Sequence, residues 1–414
     1  MPLYGGITLP DHPDPENVRK LDLLPLPMIR RMERFGMRID KEHFRALSSR
    51  LSARMLDLRA DILNEIPPDS LDRFMEVSGG FDGDDGDDAE ADVAGVAGVL
   101  FNVESSSRIA SLLYDVLGLQ NTAGVKVKKT KGGDRLSTGK KTLEQLKREH
   151  PVVPLILEYR ENSKLDSTYA RAMPRRARFH PKGPSCPQCG RRHPSDEWRV
   201  HTHLLTTRTP ARLASKDPNL QNIPARSALG REIRAGFCCS DGHVIAQRDF
   251  AQIELRLGAD RSGDGEMLRV FQAVGDIHVD TAMRAFNLPA DKIDPLTHRA
   301  PCKNVNFAVF YGITDEGLLD LMADTYSKSG VVMPDWMDKT WCAGFIEKWF
   351  ALYPGIRSYL DAEESRARRF GIVWTACGRV RRIPEVRSYH SYIQSAGVRQ
   401  GSNHGIQGFS ADIM

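Results

Sequence analysis

The stretch from Asp294 to Gly312, Asp-Pro-Leu-Thr-His-Arg-Ala-Pro-Cys-Lys-Asn-Val-Asn-Phe-Ala-Val-Phe-Tyr-Gly, decides how the rest of the chain is interpreted. It predicts a helix, since Asp294 or Thr297 can cap the N-terminus. Pro295 suits a first helical turn, and Gly312 can end the helix. A second proline, Pro301, removes a backbone donor near the N-terminus, so we expect it to delay or kink the start of the helix.

Four side chains recur at every fourth position of this helix and form one stripe: Arg299, Lys303, Phe307 and Tyr311. Two cations in the first turns oppose the helix dipole, which favours acids there. A helix that holds a polyanion would carry them, because the cations and the free N–H groups attract the same phosphates. The two aromatic rings further along could stack on a sugar and a base. The stripe therefore indicates a nucleoside triphosphate site, although an ordinary surface helix with solvated cations over buried aromatics has the same pattern.

The composition is that of a globular protein, with 41% hydrophobic and 27% charged residues in a chain of 414. This length predicts roughly two or three domains. The N-terminus has no basic region followed by an apolar core, so no secretory signal is expected, and the apolar runs are too short to span a bilayer. Seven scattered cysteines, an odd number, indicate a reducing compartment.

Charge is unevenly distributed along the chain. Nine basic residues and two acids lie between Lys126 and Arg148, so this segment carries +7 in a chain whose formal net charge is +4. We expect an anionic partner such as nucleic acid to meet this segment first, although a solvated lysine-rich loop has the same composition. The candidate contacts are Lys126, Lys128, Lys129 and Lys131. The acidic, glycine-rich stretch from Asp82 to Asp92 predicts a disordered insertion.

Cys186-Pro-Gln-Cys189-Gly has the spacing of half a zinc site, and His180 and His193 lie nearby. A complete structural site needs four ligands, usually in two close pairs. Cys186, Cys189 and His193 are therefore candidate Zn²⁺ ligands. The alternative, which the sequence favours, is a Pro-, Gly- and Arg-rich insertion with two free thiols.

The segment from His243 to Asp249 predicts a strand, and the residues from Phe250 to Leu257 predict a helix. An aspartate between a strand and a helix is often only a helix cap.

Several of these segments resemble motifs of the DNA polymerase I family (family A). The stripe matches the pattern Arg-x3-Lys-x3-Phe/Tyr-x3-Tyr-Gly, and Asp249 to Arg256 is similar to Asp-Tyr-Ser-Gln-Ile-Glu-Leu-Arg at six of eight positions. The resemblance implies that Asp249 binds the two Mg²⁺ ions of nucleotidyl transfer, which stabilise the attacking and leaving oxygens. It names as catalytic residues Asp249, Arg299, Lys303 and Tyr311.

The same resemblance assigns further residues to the nucleotide and to DNA. Glu254 matches the family's barrier to a ribose 2′-hydroxyl, and His278, in Asp276-Ile-His278, is a candidate triphosphate contact, with a capping or core histidine as the alternative. The implied nucleotide-binding set is Gln252, Glu254, His278, Arg299, Lys303, Phe307 and Tyr311. The implied DNA-binding residues, besides the four lysines, are Arg212, Asn222, Arg379, Asn403 and Gln407. One arginine donor in the minor groove can check pairing geometry, whereas a salt bridge is the alternative for Arg212.

The resemblance implies an α+β, mainly α-helical, right-hand architecture with a helical thumb, a mixed α/β palm incomplete at the C-terminus, and helical fingers. The expected divisions are an irregular lead-in at 1–24, a thumb-like region at 25–175 with an acidic insertion at 79–98, a Cys-containing insertion at 176–197, a first palm part at 198–260, fingers at 261–370 and a return to the palm at 371–414.

The function expected from the resemblance is template-directed DNA synthesis in replication or repair, with a DNA primer–template and deoxynucleoside triphosphates as partners. We expect a cytoplasmic monomer, bacterial or phage-encoded in a bacterial host. The family's third motif, His-Asp-Glu, does not follow Ile413, so the 414-residue chain is expected to be a nearly inactive fragment. The further partners that we expect are a separate exonuclease or a C-terminal half on another chain. The alternatives are a non-catalytic or split DNA-binding subunit and a single-subunit RNA polymerase, against which Glu254 and Arg212 argue.

Overall fold

The computed structural model describes residues 12–70, 103–121, 127, 129, 135–206, 211–225, 227–273, 275–329 and 331–414. Its secondary structure is mainly helical with small antiparallel sheets, which confirms the expected α+β class. None of the helices in these ranges is long and apolar enough to cross a membrane. The acidic insertion and three of the four candidate lysines (126, 128 and 131) lie outside the described residues.

The elements follow one another along the described chain. The helices are α1 (Pro15–Leu23), α2 (Leu26–Phe35), α3 (Lys41–Asn64), α4 (Ser106–Ala110), α5 (Lys140–Leu146), α6 (Val152–Leu165), α7 (Ala172–Arg176), α8 (Ala228–Ala235), α9 (Ile253–Ser262), α10 (Gly265–Gln272), α11 (Ile277–Phe286), α12 (Ala300–Phe310), α13 (Asp315–Ser329), α14 (Lys339–Leu352), α15 (Pro354–Phe370) and α16 (Ser391–Ile413). The strands are β1 (Met37–Ile39), β2 (Arg178–His180), β3 (Glu197–Val200), β4 (His203–Leu205), β5 (Ala214–Lys216), β6 (Phe237–Cys238), β7 (Ile372–Trp374) and β8 (Val380–Arg382). Single π-helical or 3₁₀ turns are Ser111–Val116, Leu119–Asn121, Asp166–Ala170, Ala290–Lys292, Pro295–Arg299 and Pro384–Arg387.

The chain divides into two compact units. The first takes the described residues of Met1–Arg30, Leu204–Ala214 and Ala246–Met414, and the second takes those of Arg31–His203 and Ser215–Ile245. Two helices of the second unit begin at side-chain caps, since the Asp40 side chain accepts from His43 N and the Ser105 side chain accepts from Arg108 N.

The second unit combines a helical core with one small sheet. α3 packs along α6, and Leu58 of α3 and Tyr159 of α6 are among the fully buried side chains of this core. The sheet has the order β2-β3-β1-β6, and β1 pairs antiparallel with β3 so that Met37 lies opposite Val200. Two of its strands, β2 and β3, flank the segment that contains Cys186 and Cys189.

The first unit is built around α9 and α12. Gly258 lets the two helices approach closely, since a Cβ atom there would lie 2.5 Å from the ring of Phe310. Phe310 is 1% exposed, so any larger residue at Gly258 would have to displace a fully buried ring. The contact places the Asp249–Arg256 motif beside the 299–311 stripe.

The expected helix at Asp294–Gly312 is confirmed, including the effect of Pro301. Asp294 caps it by accepting from Thr297 N, Pro295 begins the first turn, and Gly312 follows the helix at φ +73°. The first turn, Pro295–Arg299, is π-helical, and the regular helix begins at Ala300. Since Pro301 has no N–H to give to Thr297, the Thr297 carbonyl accepts instead from the Tyr326 hydroxyl at 2.9 Å.

The predicted strand from His243 to Asp249 is wrong. These residues have no regular secondary structure and are exposed, and none of them pairs with another strand in the described ranges. A strand needs a neighbour for its backbone N–H and C=O groups, and hydrophobic alternation alone does not supply one. Val244 and Ile245 remain 88% and 60% exposed.

Candidate functional site

Arg299 is held in place by the N-cap of a neighbouring helix. Asp276 caps α11 by accepting from the backbone N–H of His278, and its other oxygen accepts from Arg299 Nε at 2.8 Å. Burial opposes ionisation of Asp276, but the hydrogen bonds from Arg299 and from His278 N keep its pKa below the usual value. The cation is thus oriented before any ligand is present.

The Asn306 amide connects three elements in the core behind the stripe. Its Oδ1 accepts from Trp349 Nε1 at 2.8 Å and from the Thr281 hydroxyl at 2.9 Å. Because an indole N–H can only donate, this contact fixes which side of the amide is oxygen. The Nδ2 group therefore donates to His278 Nδ1 at 2.9 Å.

This network assigns the proton on His278. Since Nδ1 accepts, the neutral ring carries its proton on Nε2. Burial lowers the pKa of His278 to about 4, with Arg299 and Lys303 adding to the effect, so the ring is neutral near pH 7. The Nε2 atom is buried and has no hydrogen-bond partner among the residues that the structure describes. His278 thus presents one unused donor close to two cations.

The remaining members of the stripe lie along the same helix. Lys303 is exposed on α12, and no ion pair to a described carboxylate is found for it. The Phe307 ring is half-buried, with its centroid 6.0 Å from that of His278. The structure therefore gathers His278, Arg299, Lys303 and Phe307 in one region.

A second cluster forms around Glu254 at the start of α9. Its carboxylate accepts from Arg212 and from the Tyr311 hydroxyl, and Gln407 forms a further hydrogen bond with that hydroxyl. Burial raises the pKa of Tyr311 to about 12, so the hydroxyl stays protonated and donates. Arg212, Glu254, Tyr311 and Gln407, which are distant in sequence, thus form one hydrogen-bonded cluster. Arg212 makes the salt bridge that the sequence left open as an alternative role.

The motif before α9 is less enclosed. Gln252 precedes the helix in the left-handed region, at φ 55° and ψ 38°, and is half-buried. Asp249 lies in the exposed segment before it, which has no regular secondary structure. Within the described ranges, no set of three or more histidine, cysteine or carboxylate ligands converges on it.

The other residues assigned to DNA have varied surroundings. Arg379 donates to Asp412 at 2.6 Å and to Asp22 at 2.8 Å, so its guanidinium is already engaged. Asn403 is half-buried, and its Oδ1 atom has no hydrogen-bond partner. Asn222 and Lys129 are exposed in the second unit.

The second unit also gathers a group of metal-binding side chains: His180, Cys186, Cys189 and His193. Their nearest ligand atoms all lie within 4.8 Å of one another, and all four residues are buried. Three of them are the predicted zinc ligands. His180 completes the set, from the end of β2.

The sequence did not reveal the residues that orient these groups. Asp276 stood in a quoted motif without a role, and Asn306 and Trp349 gave no signal because they lie on the core side of their helices. Arg299 and Asn306 are seven residues apart, about two helical turns, and both contact α11 or its cap, but only the fold shows which residues they meet there.

Comparison with known proteins places this geometry in context. A sequence profile described as DNA polymerase family A matches residues 82–414. DNA polymerase I, thermostable, from Thermus aquaticus is 33% identical over 384 residues, covering 92% of this chain and 38% of that protein. DNA polymerase I from Deinococcus radiodurans is 34% identical over 384 residues, covering 93% and 33%. The chain thus spans little more than a third of the length of these curated relatives.

A solved structure matches the fold as well. The POL domain of Pol1 from M. smegmatis, in complex with DNA primer-template and dNTP, superimposes with a TM-score of 0.69 at 25% identity. The match covers 95% of this chain and 60% of that one.

Proposed function

The chain belongs to DNA polymerase family A, and from that membership we propose that it forms the nucleotide- and primer-template-binding part of a template-directed DNA polymerase. The observation that carries the proposal is the unpartnered Nε2–H of His278 beside Arg299 and Lys303. A buried donor with no partner is costly, and a phosphate oxygen would satisfy it. The bacterial relatives support a protein of the bacterial cytoplasm, and our proposal further includes a monomer that acts in DNA replication or repair.

Each residue of the site has a physical task in this proposal. Arg299, Lys303 and the His278 donor hold the triphosphate by charge-assisted hydrogen bonds. Phe307 offers a flat surface on which the base and sugar stack. Glu254, held by Tyr311, occupies the space that a ribose 2′-hydroxyl would need, which selects deoxynucleotides.

The primer end would be recognised by donors around the same carboxylate. Arg212 and Gln407 can donate to minor-groove acceptors, whose positions are nearly the same for every Watson–Crick pair. Binding of a primer would exchange the Arg212–Glu254 contact for a contact to DNA. Asn222, Arg379, Asn403 and the basic segment with Lys129 remain proposed DNA contacts.

Two Mg²⁺ ions, which the family resemblance implies, do not fit the described residues. Two adjacent cations need several carboxylates, and Asp249 is a single exposed one. We therefore derive no step through the ions and retain Asp249 as a proposed ligand of one of them. This donor set also supports a second candidate function, in which this chain binds nucleotide and DNA without synthesis.

The proposal is tested by equilibrium binding of a deoxynucleoside triphosphate to the 414-residue chain with a primer–template. We expect Lys303→Ala to weaken binding about tenfold or more, because a charge-assisted contact is lost. Lys292→Ala, at an exposed lysine of the same unit, is the matched control and should bind normally. Equal affinities of Lys303→Ala and the unmodified chain would overturn the assignment.

Primer extension on the same samples separates the two candidate functions. Binding with almost no extension would favour the non-synthesising function of this chain. Robust extension that disappears in Asp249→Ala would show that further carboxylates join Asp249 and would exclude the binding-only function.

A further inference from the structure

The cluster of His180, Cys186, Cys189 and His193 lies in the second unit and takes no part in the proposed nucleotide site. We propose that it binds a structural Zn²⁺ ion. Two thiolates and two imidazoles are a common tetrahedral ligand set for zinc, and all four positions are filled by protein. Bond lengths to zinc place such ligand atoms about 3.3–3.8 Å apart.

Two Cys–His distances are close to this geometry. His180 Nδ1 lies 3.3 Å from Cys186 Sγ, and His193 Nε2 lies 3.1 Å from Cys189 Sγ. Two separate Cys–His hydrogen bonds would explain these distances, but they would not require the two pairs to share one centre. All four ligand atoms nevertheless lie within 4.8 Å of one another.

The neighbours of His193 direct its lone pair toward the centre. Its Nδ1 lies 3.0 Å from a carboxylate oxygen of Glu197, which accepts the ring proton. The proton on Nδ1 leaves Nε2, the atom that faces Cys189, free to bind a metal. Arg199 donates to the same Glu197 carboxylate and holds it in position.

The neighbours of His180 do the same through a second ring. The carbonyl oxygen of Glu33 can only accept, so His201 donates to it from Nδ1 at 2.8 Å. Neutral His201 then accepts at Nε2 from His180 Nε2–H, 3.0 Å away. The lone pair of His180 therefore lies on Nδ1, the atom that faces Cys186. Both histidines thus have the tautomer that a metal requires.

The loop around the cysteines has the shape of a metal knuckle. The backbone N–H of Gln188 points at Cys186 Sγ at 3.4 Å, which favours a thiolate there, and Gly190 N donates to Cys186 O at 2.7 Å. Gly190 takes the left-handed conformation, at φ +71°. A glycine therefore allows the turn directly after the second cysteine.

The segment between β2 and β3 needs metal–ligand bonds to hold its fold because it has no hydrophobic core of its own. Residues 181–196 contain no large aliphatic or aromatic side chain, yet Cys186 is 2% exposed and His193 is 1% exposed. A dication with two thiolates is neutral overall, so burying the complex leaves no net charge uncompensated. The ion would brace β2 against β3. Through Arg199, which donates to Phe35 O, it would also fix the end of α2.

Metal analysis of the purified 414-residue chain is the first test. We expect about one zinc per chain after removal of loosely bound metal, and a thiolate-to-cobalt absorption band after exchange with Co²⁺. Cys189→Ser and His193→Gln should lose most of the zinc. Cys239→Ser and His203→Gln, which change residues of the same unit outside the cluster, should retain it.

A variant that keeps all four ligands distinguishes a loss of zinc affinity from misfolding of the chain. Glu197→Gln should weaken zinc affinity about 10- to 100-fold in competition with a chelating dye, because the orienting carboxylate is lost. Tryptic cleavage after the exposed residues Lys182, Arg191 and Arg192 should appear only after chelation. A metal-free wild-type chain, a Cys186–Cys189 disulfide, or equal zinc loss in Cys239→Ser would overturn the proposal.

Discussion

Two parts of the first unit were both assigned to the polymerase chemistry, and they differ sharply in how the fold supports them. The region around His278, Arg299 and Asn306 is buried and connected by hydrogen bonds to four elements. The segment 246–250, which carries Asp249, is exposed at every residue and pairs with no strand of the described chain. The difference shows that a site is positioned by the partners of its side chains and not by the motif alone.

The strongest test of this comparison is Asn306→Ala. The substitution removes the acceptor of the Trp349 indole N–H and the donor to His278 Nδ1, both in a buried setting, whereas the Thr281 hydroxyl keeps the Ile277 carbonyl as an acceptor. Stranded buried donors cost about 1–3 kcal/mol each, so we expect the free energy of unfolding to fall by about 3 kcal/mol or more. Urea unfolding followed by tryptophan fluorescence measures it.

Asn304→Ala provides the matched control on the same helix. Asn304 makes a single hydrogen bond, to Thr325 at 2.9 Å, and is half-buried. Its loss should cost about 1 kcal/mol. Equal effects of the two substitutions would mean that the Asn306 network does not hold the site together.

A smaller effect should appear in the pH dependence of stability. The pKa of His278 is about 4 in the folded protein, against an ordinary value of 6.5. Between these values the unfolded chain binds more protons, so the free energy of unfolding falls as the pH drops through this window. From pH 7 to pH 5 the His278 contribution is about 2 kcal/mol.

His278→Gln should remove that part of the pH slope in urea unfolding at several pH values. His390→Gln changes an exposed histidine of the same unit and should leave the slope as it is. A slope that does not change in His278→Gln would show that the ring is not buried in its neutral form.

The smallest effect is expected at Asp249. Asp249→Asn alters an exposed side chain in an unpaired segment, so the free energy of unfolding should stay within about 0.5 kcal/mol of the unmodified value. Calorimetry or urea unfolding measures it. A clear gain in stability would indicate that Asp249 is crowded by other acids and would remove the contrast between the two regions.

Local chemistry explains where several of the helices begin. Asp40, Ser105 and Asp294 each cap a helix with their own side chain, because the capping atoms lie within three residues of the groups they satisfy. The delay caused by Pro301 was predictable for the same reason. The strand at 243–249 was not, since a strand depends on a neighbour that may lie anywhere in the sequence.

The sequence by itself determined which chemical groups are present and how they repeat: the stripe of Arg299, Lys303, Phe307 and Tyr311, and the spacing of Cys186 and Cys189. The tertiary structure decided which of these groups meet. His180 reaches the two cysteines because β2 pairs with β3, and the Asn306 amide is oriented by an indole 43 residues away. Short-range hydrogen bonds follow from sequence because chain geometry limits them, whereas convergence of distant side chains depends on packing that no local pattern contains.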